Sequence, residues 1–91
     1  MPKVTFTANL KRHVDVPEVD VEATTVRDAL ERAFAVAPNL RPYILDDQGR
    51  LRRHVNVFVG GAPVVDRKGL TDAVGEDEAV YVMQALSGGA R

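Results

Sequence analysis

Side chains that commonly carry catalysis are scarce or unfavourably spaced in this sequence. Cysteine is absent, which excludes a cysteine nucleophile, a disulfide framework, a zinc ribbon and an iron–sulfur cluster on this chain. His13 and His54 lie far apart and neither has metal-ligand spacing around it, which favours structural or solvated histidines. No serine lies in a nucleophile-elbow motif, and no glycine-rich phosphate loop opens a helix. We therefore predict that the chain has no active site of its own and holds no metal or cofactor.

Two glycine pairs remain as candidates for a special role. Gly60-Gly61 lies between two strand patterns and is followed by Ala62-Pro63, which is typical of a hairpin turn. The second pair, Gly88-Gly89, follows the last strand pattern and precedes Ala90-Arg91. We expect residues 86–91 to form a flexible tail, since chain ends are often mobile. Flexibility alone does not show whether this tail does chemistry.

Length and composition indicate a small globular protein. The 91 residues suffice for one domain, and a hydrophobic content of 45% argues against wholesale disorder. No apolar run approaches the ~20 residues needed to cross a bilayer. Met1-Pro2-Lys3 leads into a strand pattern rather than a secretory leader. Because the formal net charge is −1, there is no general attraction to nucleic acid or acidic membranes. We expect a cytoplasmic protein that binds neither.

The first half of the chain predicts a hairpin followed by a helix. Residues 4–10 alternate with period two, and residues 14–21 resemble the returning strand, with Pro17 favouring an edge position. Thr25 is a candidate N-cap for a helix that Pro38 ends. The helix has one apolar stripe, formed by Val26, Leu30, Ala33, Phe34 and Ala37.

The second half predicts further strands. Tyr43-Ile44-Leu45 is interpreted as a short strand, and residues 50–59 alternate clearly. An acidic turn at residues 76–78 precedes the last strand, residues 79–83. The order of hairpin, helix and further strands predicts an α+β protein with a β-grasp (ubiquitin-like) fold. In that fold a mixed sheet has one main helix packed across it, and the first and last strands are parallel neighbours.

The segment "LRRHVNVFVGG", followed by "GLTDAVGEDEAVYVMQALSGG", resembles the MoaD/ThiS family of ubiquitin-like sulfur carriers. That family has a "VNVFVNG"-like strand and hairpin, a Gly-Leu segment, an acidic turn, a final strand and a terminal Gly-Gly. The opening strand, the "TTVRDAL" helix and the "PYILDDQGRLRR" hairpin also match, so that the likeness spans nearly the whole chain. Gly60 replaces the usual asparagine of the hairpin, and the chain continues beyond Gly89 where the family stops.

The resemblance implies that the reactive group is the carboxylate of Gly89, preceded by Gly88. A partner adenylating enzyme of the ubiquitin-activating type uses ATP to form an acyl adenylate, and a sulfur donor converts it to a thiocarboxylate. A sulfur-accepting synthase then takes the sulfur for cofactor or amino-acid biosynthesis. The chain would be a carrier, possessing no catalysis of its own, although the family includes small subunits of complexes such as molybdopterin synthase. Glycine suits this end because a residue without Cβ enters a narrow channel.

Gly89 is joined to Ala90 and thus has no free carboxylate in this sequence. We interpret Ala90-Arg91 as an extension that a JAMM-type metalloprotease removes. Two other interpretations remain: the dipeptide is an artificial addition, or the protein has lost activation. In the last case the chain would be an unactivated ubiquitin-like interaction module.

A carrier must be held by its enzymes, so we expect an exposed apolar patch. Strand alternation predicts that Phe58, Tyr81 and Met83 face outward and, with Leu86 and Ser87 of the tail, bind partners. The alternative is that one or more of the three packs under a loop. A rival function is RNA binding by the basic residues Arg50, Arg52, Arg53 and His54, which few aromatic residues accompany.

Overall fold

The computed structural model describes residues 1–7 and 18–84, and they form one mixed sheet with helices against one face. The five strands lie in the order β2-β1-β5-β3-β4. Strands β1 and β5 are parallel and β5 and β3 antiparallel, which places β5 at the centre. The strands are β1 (Lys3–Phe6), β2 (Glu18–Asp20), β3 (Val55–Val59), β4 (Ala62–Pro63) and β5 (Ala79–Gln84). This is the predicted β-grasp fold, with the first and last strands as parallel neighbours.

The main helix, α1 (Val26–Val36), begins and ends where the sequence predicts. The Thr25 hydroxyl oxygen accepts a hydrogen bond from the Asp28 backbone N–H at 3.2 Å, which satisfies one of the free amides of the first turn. The helix ends before Pro38, whose ring is incompatible with a continuing helix. All members of the predicted stripe are buried, namely Val26, Leu30, Ala33, Phe34 and Ala37.

The core lies between this stripe and the inward face of the sheet. Val4 and Phe6 of β1 and Val80 and Val82 of β5 are fully buried, as period-two alternation requires. They form one hydrophobic cluster with the α1 stripe. Strand β2 lies at the edge of the sheet, as predicted from Pro17. The predicted turn of that hairpin, Lys11-Arg12-His13, lies outside the described residues.

The segment after α1 corrects one prediction. Tyr43-Ile44-Leu45 is not a strand, because a 3-10 turn (Pro38–Leu40) leads directly into a second short helix, α2 (Arg41–Ile44). Pro38 and Pro42 lie at the first and second positions of these two turns and favour them, since those positions need no donor N–H. Of the predicted strand, only Leu45 makes a bridge, to Leu51.

Strand β3 is also shorter than the alternation of residues 50–59 predicts. It begins at Val55, because residues 53–54 form a turn in which the Val55 N–H donates to the Arg52 carbonyl at 3.0 Å. The hairpin that follows is as predicted. Gly60 and Gly61 have φ of +58° and +90°, a conformation that glycine adopts without strain and that suits a two-residue hairpin loop.

A loop between β4 and β5 anchors the start of α1. The Leu70 and Asp72 carbonyls accept hydrogen bonds from the Arg27 and Val26 backbone N–H groups at 2.9 and 3.0 Å. Leu70 is fully buried, although its φ of +56° is unusual for a residue with a side chain. Inside the loop the Asp66 carboxylate accepts hydrogen bonds from the Thr71 hydroxyl and several backbone amides. These bonds, led by that from Thr71, lower the pKa of Asp66 from 3.8 to about 2.

Candidate partner-binding face of the sheet

The face of the sheet opposite the helices carries a row of side chains that crosses four strands. In the strand register, Thr5 of β1 faces Tyr81 of β5, Tyr81 faces Phe58 of β3, and Phe58 faces Pro63 of β4. Because directly opposed residues on one face lie within contact distance, this row forms a continuous surface. Met83 lies on the same face one alternation further along β5, opposite Asn56. We call Phe58, Tyr81 and Met83 the open-face patch.

The exposure of these side chains separates them from the core. Tyr81 and Met83 are 42% and 39% exposed, which are large fractions for strand residues with apolar surface. Phe58 is half-buried between its cross-strand neighbours and does not belong to the buried core. Strand alternation therefore correctly predicted the side of the sheet on which all three lie. Their role in partner binding stays a prediction.

The tail residues that the sequence singled out fall outside the described residues. Leu86, Ser87, Gly88 and Gly89 all follow Gln84, where β5 ends. Gln84 lies opposite Val55, the first residue of β3, so the tail starts from the centre of one end of the sheet. Met83 of the open-face patch directly precedes Gln84.

Arg67 organises this end of the sheet, and the sequence analysis missed it. Its Nη2 atom donates to the Val55 and Arg52 carbonyls at 2.7 and 2.8 Å, and its Nη1 atom lies 3.5 Å from the Asn56 side-chain oxygen. The guanidinium thereby joins the turn before β3 to the first residues of that strand. Nothing in the local sequence around Arg67 indicates these contacts, because its partners are 11 to 15 residues away in the chain.

The predicted basic cluster does not form a single surface. Arg50 pairs with Asp46 at 3.1 Å, and the Arg50 backbone N–H is the first cause of a lowered pKa at Asp46. The Arg52 side chain donates to the Pro42 carbonyl at 2.7 Å. Arg53 is exposed and His54 half-buried in the turn before β3. Two of the four side chains are thus engaged with the α2 segment and its acidic loop.

The acidic turn before β5 has a local structural role. One carboxylate oxygen of Glu78 accepts a hydrogen bond from the Gly75 N–H at 2.6 Å and closes the turn. The other lies so close to Gly60 that a Cβ added there would clash with it. The glycine that replaces the family's asparagine therefore leaves room for Glu78.

Two other kinds of feature, a metal site and a membrane span, are absent from the described part of the chain. Residues 1–7 and 18–84 contain no group of three or more histidine, cysteine, aspartate or glutamate side chains that could hold a metal ion. The same residues contain no helix of the length and apolar character that a membrane crossing requires.

Solved structures of other proteins have the same fold as this chain, although sequence comparison finds no match. No protein-family model matches the chain, and no curated protein matches it in sequence. Solved structures match almost all of it. SAMP1 from Haloferax volcanii, a small archaeal modifier protein, is 26% identical with a TM-score of 0.79, over 96% of this chain and 97% of that chain.

Two further structures agree. A chain of the Amycolatopsis orientalis BexX/CysO complex is 19% identical with a TM-score of 0.83, over 97% of this chain and 99% of that chain. Urm1 from Sulfolobus solfataricus is 16% identical with a TM-score of 0.69, over 91% of this chain and 99% of that chain. At these identities the latter two show a shared fold alone.

Fold and comparisons together define the class of the protein. It is a β-grasp protein that resembles the ubiquitin-like sulfur carriers, and the resemblance predicted from the sequence is confirmed. Its general class is that of the small ubiquitin-like carriers and modifiers.

Proposed function

We propose that the chain is a sulfur carrier whose reactive group is the carboxylate of Gly89, exposed after removal of Ala90-Arg91. A ubiquitin-activating-type enzyme binds the carrier and ATP. A carboxylate oxygen of Gly89 attacks the α-phosphate, pyrophosphate leaves, and an acyl adenylate forms. Sulfide from a sulfur donor then attacks the acyl carbon, and AMP leaves with the electron pair of the broken C–O bond. The resulting thiocarboxylate donates sulfur to a synthase in cofactor or amino-acid biosynthesis.

The likeness to SAMP1 over nearly the full length of both chains is the observation that carries the proposal. The position of the glycines supports it. Residues 85–89 follow Gln84 at the end of the central strand. Five extended residues reach at most ~17 Å, which is enough to enter a neighbouring protein's channel. Gly88 and Gly89 have no Cβ, so they would fit where the backbone must pass closely.

In this proposal the carrier supplies an acyl group and a docking surface, and the partner supplies the catalysis. The open-face patch is the docking surface, because Tyr81 and Met83 expose apolar area on the face opposite the helices. Leu86 and Ser87 are proposed to contact the mouth of the partner's channel. The chain itself is proposed to hold no cofactor, since ATP is bound by the adenylating enzyme.

Activation requires a free carboxylate at Gly89, so removal of Ala90-Arg91 must come first. A JAMM-type metalloprotease is the proposed agent. If the full chain is incubated with lysate of the host organism, we expect intact mass spectrometry to show a product ending at Gly89. Persistence of Arg91 while the sulfur pathway is active would contradict the trimming step.

The carrier function is tested with a chain that ends at Gly89, compared with the full chain as a matched control. Both are incubated with ATP, the host's adenylating enzyme and sodium sulfide. We expect only the Gly89-ended chain, and not the full chain, to show the increase in mass that corresponds to replacement of one oxygen by sulfur. If that chain has the melting temperature of the full chain but neither releases pyrophosphate nor gains mass, the carrier function is wrong. The protein is then an unactivated interaction module.

A further inference from the structure

Acidic and basic side chains are concentrated at opposite ends of β5, although Lys3, beside the first residue of β5, lies at the acidic end. Residues 76–78 are all acidic and precede β5, and Glu22 lies beside them in a groove that it shares with Glu76. At the opposite end, next to the last residue of β5, lie Arg53, His54 and Arg67. We call these three residues the basic end. The chain as a whole is nearly neutral, with a formal net charge of −1, so this separation is a property of the fold.

The basic end is held in a defined position. Arg67 donates to the Val55 carbonyl at 2.7 Å, and Val55 lies opposite Gln84. Arg53 belongs to the turn that immediately precedes Val55. The guanidinium of Arg67 also approaches Asn56, which faces Met83. The basic end is therefore continuous with the open-face patch and lies beside the point from which the tail starts.

Its positive charge is not offset within the described structure. Arg67 donates to carbonyl groups and to a neutral amide, which leaves its charge in place. No ion pair among residues 1–7 and 18–84 involves Arg53 or Arg67. Arg50, by contrast, pairs with Asp46.

The length of the tail determines how a partner must approach. Any channel that receives Gly89 opens within ~17 Å of Gln84, the greatest span of five extended residues. A specific protein interface covers about 800 Å² on each partner, which corresponds to a disc of about 16 Å radius. The basic end adjoins Gln84, so a partner whose channel opens within about 16 Å of Gln84 covers it.

We propose that the basic end binds an acidic surface that surrounds the tail-accepting channel of the adenylating enzyme. This inference rests on the proposed function and specifies the partner of the same site. Opposite charges across the interface speed encounter and align the tail with the channel. The open-face patch supplies apolar contact area, and the basic end supplies orientation.

An acidic protein surface fits this end better than a nucleic acid does. The same face of the sheet carries Glu18 and Asp20 at its β2 edge, where Lys3 pairs with Glu18 at 3.8 Å. Carboxylates there would repel a phosphate backbone that crossed the sheet, whereas an acidic patch confined to the basic end would not cover them. Among the neighbouring arginines, Arg50 is paired with Asp46, so it is not available for a phosphate contact.

The test compares two charge reversals in the Gly89-ended chain. Arg53→Glu reverses a charge of the basic end, and Arg32→Glu makes the same change on the exposed surface of α1, away from the open face. Thiocarboxylation by the host's adenylating enzyme is measured against carrier concentration at low and high salt. For Arg53→Glu we expect kcat/KM to fall about tenfold at low salt, through a higher KM and an unchanged kcat. The difference from Arg32→Glu should shrink as salt screens the interaction.

Each outcome decides the inference. Equal kcat/KM for both variants, with the unsubstituted chain active, overturns the basic end as a docking element and leaves the carrier function standing. A fall in kcat without a change in KM overturns it too, because docking would not be affected. Retention of the unsubstituted chain on single-stranded RNA, lost with Arg53→Glu, would assign the basic end to nucleic acid. No adenylation of the unsubstituted, folded chain overturns the proposed function and this inference together.

Discussion

Replacing Tyr81 by alanine tests whether the open-face patch binds a partner. Tyr81 lies in the central strand with Phe58 as its cross-strand neighbour, and 42% of it is exposed. The structure contains a matched control in Tyr43 of α2, which is 45% exposed on a different surface. The two substitutions remove the same atoms at nearly equal exposure and differ in location.

The expected magnitude follows from the exposed area. A tyrosine side chain has about 200 Å² of accessible surface, so that an exposure of 42% leaves about 85 Å² for a partner to cover. At ~25 cal/mol per Å², covering that area contributes about 2 kcal/mol. The loss corresponds to an increase of about thirtyfold in Kd. Tyr81→Ala should also remove the contact with Phe58, which costs about 0.2–1 kcal/mol of folding stability.

The assay is isothermal titration of each Gly89-ended variant into the adenylating enzyme, with thermal unfolding of each variant alone. We expect weaker binding for Tyr81→Ala and wild-type binding for Tyr43→Ala. Tyr81→Phe keeps nearly all of the contact area and should bind close to wild type. Equal weakening by the two alanine substitutions, or none by Tyr81→Ala in a folded variant, would refute the assignment of this face.

Two predictions concern the loop that anchors α1. Leu70 is fully buried at a φ of +56°, so Leu70→Ala should cost about 2–5 kcal/mol by urea unfolding. Leu70→Gly should lower the free energy of unfolding no more than Leu70→Ala does, because glycine adopts that φ without the ~1–2 kcal/mol that a Cβ incurs. A clearly larger loss of stability for Leu70→Gly would contradict the positive φ at this position. The lowered pKa of Asp66, about 2 against 3.8, means that its carboxylate stabilises the fold fully above pH 3.8. That stabilisation is lost as the pH falls through about 2, so the melting temperature should decrease as the pH is lowered from 3.8 to about 2. Asp66→Asn should make this decrease of melting temperature with pH smaller. If the melting temperatures of the unsubstituted chain and of Asp66→Asn decrease equally with pH across this range, Asp66 is not the titrating group.

Local signals in the sequence predicted the elements that depend on near neighbours. The α1 stripe, its Thr25 cap and its end before Pro38 follow from residues within three or four positions of one another. The Gly60-Gly61 turn follows from the backbone freedom of glycine. Alternation also predicted that Tyr81 and Met83 would lie on the exposed face, because period two is intrinsic to a strand.

The same local signals failed where a short segment is compatible with both a strand and a helix. The sequence Tyr43-Ile44-Leu45 is compatible with a strand, yet Arg41–Ile44 is helical because Leu40 and Ile44 both reach the core when the chain turns. The alternation of residues 50–59 likewise does not predict that β3 begins at Val55. A turn at residues 53–54, held by Arg67 from a later loop, ends the ladder there.

The sequence by itself determined the class of the protein, the positions of the main strands and helix, and the glycines at its end. Only the tertiary structure decided that Phe58 stands directly opposite Tyr81 and that Arg67 reaches the carbonyls of Arg52 and Val55. The physical reason is the distance along the chain between the residues that interact. Periodicity and capping act between residues a few positions apart, whereas strand register and the meeting of distant charges depend on how the whole chain closes around its core.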